Sequence, residues 1–446
     1  MPTRLLLVAV VAAISGGAAA IERSPAGGRI DRLLRDLQSR DGSVVERAAK
    51  ELERVAQEGL AAGEAERLLR AAPGSFAKRK LEAQSTPADL VRAAARRPAK
   101  ALVPVVAEVF PRLPSVAQTE ALQLLMAVED RSGAETLVRL VGDLRAAGKP
   151  IPELRTAVLR KSMRHADVYF PALLDVATDA NRFDVYATFL SALEAGALDP
   201  QRVARESRRV LAAWAPVRDA ARAAQARGGA EWTWQEDYQE VRETAGLLLD
   251  VLGYFPTRPV RIELHDALAM RDPKLRCFAA ASLLRVGERV APAAMEEIAA
   301  GPEQRNVLYG LLERLDKASL FPSRWRTQEA FAESEMVVWL VYPTELGRPP
   351  HEIELMRVIS EDLGSSRGGV HDWYLFRFRT REPHWAAKNG WMAGIAGPFR
   401  RSDAPSPTAH GDTFSQFEKW DSKTPDEHVR AVREQVEKAW KKRAER

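Results

Sequence analysis

One helical pattern occurs twice in this chain, in segments far apart. Residues 40–55 read RDGSVVERAAKELERV and residues 271–286 read RDPKLRCFAAASLLRV. Both begin with Arg-Asp, carry paired alanines in the middle and end in Leu-x-Arg-Val. The Asp fits an N-cap, and the apolar residues recur at spacings of three and four, which makes one buried helix face. A chain that repeats such a unit is expected to stack its copies into a helical array.

Fainter copies of the pattern lie between these two segments. LPSVAQTEALQLLMAV keeps Val116, Ala121 and Leu124 in register, and IPELRTAVLRKSM, which begins at Ile151, is another copy based on Leu154 and Val158. The common pattern, D-x-x-(V/L)-x-x-x-A-A-x-x-L, resembles the second helix of HEAT repeats, which are helical hairpins of about 40 residues. The resemblance implies an α-solenoid of about six or seven hairpins over residues 30–321. It also implies a scaffold that binds other macromolecules, and it supplies no catalytic residues.

The first twenty residues, MPTRLLLVAVVAAISGGAAA, have the three parts of a secretory signal peptide. Arg4 supplies the positive charge, residues 5–14 are apolar, and small residues lead to Ala20. The apolar run is shorter than the roughly 20 residues that span a bilayer, so cleavage is expected and a retained anchor is the alternative. The Ala/Arg-rich composition indicates a bacterial source. We therefore expect a periplasmic or extracellular protein without a stable membrane span after cleavage.

The charge balance and the cysteine content argue against a nucleic-acid partner and against an internal disulfide. The 446 residues include 66 Lys and Arg against 61 Asp and Glu, with no long basic run before residues 441–443. This balance, together with export, argues against a nucleic-acid partner. Cys277 is the only cysteine, so an internal disulfide is excluded, and its apolar helical surroundings predict a buried small side chain.

The segment AQARGGAEWTWQEDYQEV interrupts the helical spacing and presents Trp232, Trp234 and Tyr238. One interpretation is a long connection whose aromatic rings fill a gap between repeats. The other is an exposed aromatic loop that binds a ligand. These three residues are secondary candidates for a binding role.

After residue 321 the sequence changes from helical to strand periodicity. MVVWLVY (336–342) has the apolar, β-branched character of a buried strand. EIELMRVIS (352–360) favours a strand over a short helix, WYLFRFR (373–379) alternates cleanly, and GWMAGIAGPF (390–399) completes the set. These segments predict a four-stranded antiparallel sheet or half-barrel.

The last segment, TPDEHVRAVREQVEKAWKK, predicts a helix. Thr424 fits the N-cap and Glu427 the capping box, while Val429 and Val432 begin an apolar stripe that continues through Val436 and Trp440. The chain is thus predicted to be mainly α, a HEAT-like α-solenoid followed by a small antiparallel β (α+β) module and a C-terminal helix. The predicted parts are a signal peptide (1–20), a HEAT-like helical repeat domain (21–321), a β module (322–400), a loop or linker (401–423) and a C-terminal helix (424–446).

No catalytic motif is complete in this sequence. HEIEL at His351 begins like a zinc-protease helix, but Leu355 occupies the position of the second histidine. There is no G-x-S-x-G, Walker A or dinucleotide fingerprint in the sequence. We therefore predict a non-enzymatic protein with no cofactor, metal site or catalytic residue. An exported hydrolase with a carboxylate pair is kept as the weakest alternative.

Candidate binding residues come from the second face of the strand WYLFRFR. Alternation places Tyr374, Phe376 and Phe378 on one face, and Trp, Leu and two Arg on the other. Because Trp, Tyr and Arg dominate interface energetics, the second face and the following loop are candidates for partner binding. The candidates are Trp373, Arg377, Arg379, His384 and Trp385.

Core packing is the competing interpretation for the tryptophans of this module. The predicted function is an exported scaffold that binds a protein partner through the solenoid, with the β module for docking. The alternative is a cell-envelope glycan-binding protein that stacks sugar rings on Trp385 and Trp391.

Overall fold

A computed structural model of the chain describes residues 26–76, 85–152, 165–177, 182–227, 232–364, 368–381, 390–407 and 413–444. Within these ranges the protein is mainly α-helical, with a four-stranded antiparallel sheet and a last helix toward the C-terminus. This confirms the predicted fold class, mainly α followed by a small α+β module. The predicted signal peptide and the repeat copy that begins at Ile151 lie, wholly or largely, outside the described residues.

The chain divides into two compact units, residues 1–155 and 156–446. In the first unit, α1, α3, α5 and α7 pack side by side in one layer, and α2, α4 and α6 in another. Its described helices are α1 (Ala26–Leu37), α2 (Gly42–Glu58), α3 (Ala62–Ala71), α4 (Thr86–Ala94), α5 (Val103–Val109), α6 (Ser115–Ala127) and α7 (Arg131–Ala146).

The second unit continues with helices and ends in the sheet. Its helices before the sheet are α8 (Ala166–Asp175), α9 (Arg182–Glu194), α10 (Ser207–Ala226), α11 (Glu236–Leu252), α12 (Arg258–Leu268), α13 (Pro273–Arg285), α14 (Pro292–Ala300), α15 (Pro302–Arg314) and α16 (Gln328–Leu340). Helices α9, α11, α13, α15 and α16 pack in succession, while α10, α12 and α14 pack on α11, α13 and α15 respectively.

The two copies of the repeated pattern are α2 and α13. Each is capped as predicted, because Asp41 accepts the N–H of Ser43 and Asp272 accepts the N–H of Lys274, both at 2.8 Å. The predicted apolar face of α13 is buried at Leu275, Ala279 and Leu283. In α2, Ala48 and Leu52 are buried as predicted, but Val44 is only half-buried and the neighbouring Val45 is buried instead. Cys277 is also fully buried, as predicted, and this burial raises the pKa of its thiol.

The sheet consists of β1 (Glu352–Asp362), β2 (Val370–Arg379), β3 (Met392–Arg400) and β4 (Phe414–Lys419), in the order β1-β2-β3-β4 with antiparallel neighbours. It is followed by α17 (Pro425–Ala444). The strands predicted at 352–360, 373–379 and 390–399 correspond to β1, β2 and β3.

The predicted strand at 336–342 is wrong, because these residues end α16 and begin the turn after it. Helix α16 is packed on two sides: Phe331 joins the core shared with α14 and α15, and Met336 and Leu340 join the core shared with the sheet. A helix buried on both sides carries apolar residues around most of its surface, so over seven residues it has the same pattern as a buried strand.

The predicted loop or linker at 401–423 is also wrong in part, since it contains β4. This strand pairs with β3 through Ile395 opposite Phe414 and Met392 opposite Lys419. Its sequence, FSQFEK, is short and mostly polar, as edge strands often are, so it lacks a distinct apolar run.

The two faces of the sheet pack against different helices. Tyr374, Phe376 and Phe378 pack on α16, and Trp373 and Leu375 pack beneath α17, so the predicted alternation is confirmed. We call these faces the α16 face and the α17 face. Helix α17 also begins as predicted. The Thr424 N–H donates to Glu427 Oε2 at 2.7 Å, and the Glu427 N–H donates to Thr424 Oγ1 at 3.4 Å.

Candidate functional site

Two cross-strand ion pairs lie on the α17 face of β1 and β2. Glu354 stands opposite Arg377 and Glu352 opposite Arg379. Both arginines use two nitrogens: Arg377 donates to Glu354 Oε2 at 2.8 and 2.6 Å, and Arg379 donates to the two oxygens of Glu352 at 2.9 and 2.7 Å. Residues two apart along a strand share a face, so the pairs lie side by side.

Trp391, just before β3, lies against both guanidinium groups. Its ring centroid is 4.4 Å from Arg377 Cζ and 4.7 Å from Arg379 Cζ, within the range of cation–π contacts. The two arginine side chains remain 30% and 42% exposed, and Trp391 is half-buried. These five residues, Glu352, Glu354, Arg377, Arg379 and Trp391, form what we call the Arg-Trp surface.

The charges of the Arg-Trp surface compensate each other. The hydrogen bond from Arg379 is the largest influence on Glu352, and it lowers the pKa of that carboxyl group. The same bond raises the pKa of the Arg379 guanidinium. Two carboxylates and two guanidinium groups leave this surface with no net formal charge. It therefore presents flat, oriented groups and does not favour anions as ligands. Such groups suit contacts with a peptide or with the face of a sugar ring.

Of the candidates named from the sequence, Arg377 and Arg379 are brought together here. Trp373 is not, because it is only 1% exposed and packs with Val429 and Val432 under α17. The face assignment of Trp373 is therefore right, but its place on an exposed surface is wrong. Core packing explains this residue, since α17 covers the part of the face where it lies. His384 and Trp385 fall outside the described residues.

The secondary candidates lie near the start of α11. Trp232 and Tyr238 are buried, with ring centroids 5.1 Å apart, and Trp234 is half-buried. The Tyr238 hydroxyl donates to Asp272 at 2.8 Å, and burial, followed by the charge of Asp272, raises the pKa of Tyr238. Arg271 lies over the ring of Trp232 at 5.9 Å. This arrangement corresponds to aromatics that fill a gap between helices, and not to an exposed loop.

Sequence reasoning missed Glu352 and Glu354 as members of the site. A signal was present, because acids two apart in one predicted strand and arginines two apart in the next can pair across an antiparallel ladder. Which acid faces which arginine depends on the register of β1 on β2, including the irregularity between Leu355 and Arg357, and the local sequence does not give that register.

The described residues contain no group of three or more His, Cys, Asp or Glu side chains placed to hold a metal ion. None of the described helices combines the length and the apolar character that crossing a membrane requires.

The comparisons with known proteins show no family for this chain. No protein family model and no curated protein matches it. A crystal structure of an engineered protein matches 69% of this chain and 89% of its own length, at 15% identity and a TM-score of 0.21. A likeness at that score carries no argument about fold or function.

Proposed function

We propose that this chain is an exported, non-enzymatic scaffold that binds a protein partner through a HEAT-like helical array and uses its C-terminal β module for docking. The supporting observation is the double role of α16. Phe331 contacts Tyr309 of α15 at a ring distance of 5.0 Å, while Met336 and Leu340 belong to the core of the sheet. One helix thus belongs both to the core shared with α14 and α15 and to the core of the α16 face, so the sheet is held in a fixed position relative to the last helices of the array.

The Arg-Trp surface is the docking surface in this proposal. Arginine and tryptophan are the residue types that most often carry binding energy at protein interfaces. Here Arg377 and Arg379 are already held by Glu354 and Glu352, so little side-chain freedom is lost when a partner binds.

Partner capture from envelope extract, followed by chemical cross-linking, tests this role. We expect the wild-type chain to recover a protein that Trp391→Ala and Arg379→Ala recover at least about tenfold less well, because truncation of a hot-spot residue costs about 2 kcal/mol or more. Arg324→Ala is the matched control, since Arg324 is an exposed guanidinium over a different ring, Trp325, at 5.0 Å. Equal recovery by all four proteins would contradict docking through the Arg-Trp surface.

A glycan-binding role is the second candidate, and the half-buried ring of Trp391 between charged groups favours it. Sugar rings stack on tryptophan, and flanking hydrogen-bonding groups orient them. Binding of the wild-type chain and of Trp391→Ala to purified envelope polymers is the direct test. Unchanged binding of the variant would exclude this role for Trp391.

A further inference from the structure

In the part of the chain that the structure describes, no strand pairs with the outer edge of β1. Among the strands that the structure describes, β1 has only β2 as a neighbour and lies at the end of the sheet. Its backbone N–H and C=O groups that point away from β2 are therefore available to another strand. Such edges are sites of strand addition unless the protein protects them.

Apolar side chains are exposed along this edge. Leu355 is 40% exposed, and Met356 and Val358 are each 39% exposed. Leu355 stands opposite Phe376 and Val358 opposite Tyr374, both of which are buried against α16. The apolar α16 face of the sheet thus continues past its covered part to the open edge.

The charged residues of β1 do not protect the edge in the usual way. Unpaired charges on an edge strand repel a second strand, but four charged residues of β1 are neutralised within the chain. The pairs are Glu352 with Arg379, Glu354 with Arg377, Arg357 with Asp426, and Glu361 with Arg433. All four side chains belong to the α17 face, as their register opposite β2 shows.

A bulge at Met356 determines which side chains share a face. Glu354 stands opposite Arg377 and Arg357 opposite Leu375, and the two residues on β2 are two apart. Glu354 and Arg357 therefore lie on the same face, although they are three apart in sequence. In a regular strand, residues three apart would lie on opposite faces.

We propose that β1 pairs with β1 of a second copy of this chain, antiparallel and around a two-fold axis, in the register that sets Glu354 opposite Arg357 of the other copy. The bulge makes this register consistent, because both charges then lie on the α17 face. The same register sets Ile353 opposite Val358 on the apolar face, and the two-fold axis repeats every contact. One sheet then runs through both copies.

Charge complementation tests the pairing and its register. Sedimentation velocity of the wild-type chain is expected to show a reversible dimer. Glu354→Lys and Arg357→Glu are each expected to weaken the dimer about tenfold or more, since like charges then face each other twice. An equal mixture of the two variants is expected to regain wild-type association, because every introduced charge then faces an opposite one.

The mixture also separates this effect from damage within one chain. Mixing cannot restore the intramolecular pairs with Arg377 or Asp426, so recovery must come from contacts between copies. Leu355→Lys is a further variant at an exposed apolar position and is expected to remain monomeric. Glu240→Lys, an exposed charge change on α11, is the control and is expected to associate like the wild type.

Three results would overturn the proposal. The first is a wild-type chain that stays monomeric up to about 100 µM, well above the range of specific association. The second is a dimer that persists in all three β1 variants. The third is a mixture that stays monomeric. With a monomeric wild type, loss of a captured partner protein by Arg357→Glu and Leu355→Lys, neither of which belongs to the Arg-Trp surface, would assign the edge to a strand of that partner instead.

Discussion

Arg242 of α11 and Asp272, the N-cap of α13, form a fully buried ion pair. The arginine donates to the two carboxylate oxygens at 2.9 and 3.2 Å, and Asp272 also accepts the Tyr238 hydroxyl and caps α13. The same guanidinium lies 3.2 Å from Glu303 in the first turn of α15. The Arg242 side chain therefore joins α11, α13 and α15, which pack one against the next in the second unit.

Arg242→Met is expected to lower the free energy of unfolding by about 3–5 kcal/mol, because it leaves the Asp272 carboxylate buried without its counter-charge. Urea unfolding followed by circular dichroism measures the change. Arg222→Ala, which breaks the exposed pair with Asp266, is the control and is expected to cost less than about 1 kcal/mol. Equal effects of the two changes would contradict the buried pair as a major support of the array.

Gly394 of β3 provides the close contact between the sheet and α16. A Cβ at this position would lie 2.5 Å from Met336 Cε and 3.1 Å from the Phe378 ring. Gly394→Val is expected to destabilise the fold by about 1–3 kcal/mol through overpacking.

A double-mutant cycle shows whether that cost arises at the contact with α16. Met336→Ala is expected to relieve part of the cost of Gly394→Val, so the two changes should not add. Gly310→Ala, in an open position on α15, is the control and is expected to stabilise the helix by about 0.5–1 kcal/mol. Additive effects of Gly394→Val and Met336→Ala would contradict the contact.

Acid is expected to destabilise the sheet near the start of β2 by protonating Asp372. Burial alone would raise the pKa of this carboxyl group, but hydrogen bonds from Arg401 and Ser360 lower it below its ordinary value of 3.8. A folded-state pKa below the unfolded one gives stability that is fully present above about pH 4 and is lost as pH falls through the folded value.

Thermal unfolding between about pH 7 and pH 2 checks the effect of Asp372. Asp372→Asn is expected to lower Tm at neutral pH and to reduce the further fall in acid. Asp316→Asn, a change of an exposed carboxylate on the turn after α15, is the control and is expected to keep the wild-type profile. An unchanged acid profile in Asp372→Asn would contradict the lowered pKa.

The proposed export predicts the N-terminus of the mature protein. Mass spectrometry of the chain recovered from the cell envelope is expected to show residues 1–20 removed, with Ile21 first. Changing Leu7 and Val8 to Asp should block export, because the apolar part of the signal would be interrupted. A mature protein that retains Met1 would contradict cleavage.

The sequence predicted elements best where one face alone is buried. The caps at Asp41 and Asp272 and the alternation in β2 followed from local pattern, because capping and strand periodicity are properties of a few neighbouring residues. The C-terminal helix was predicted for the same reason, from Thr424 and Glu427.

Tertiary contacts account for the errors. The pattern of residues 336–342 predicts a strand because α16, which contains Met336, is buried on two sides, and a local pattern does not distinguish such a helix from a buried strand. For Trp373 the sequence leaves a binding surface and core packing as two interpretations, because nothing in its own strand indicates that α17 covers it; the structure confirms core packing. The sequence predicts the two arginines of the Arg-Trp surface, because they stand out in the composition of their strand. It does not predict Glu352 and Glu354, because their pairing with the arginines depends on the register of β1 on β2.

The shared helix α16 sets a limit on how this protein can be divided. A fragment that starts after residue 340 would carry β1 to β4 without the helix that buries Phe376 and Phe378. A fragment that stops before the sheet would expose Met336 and Leu340. Neither piece has a complete core, so the sheet is not a portable domain that recombination could move to another chain by itself. Its inheritance is tied to the last helices of the array, and any homologue that keeps the sheet should keep α16 as well.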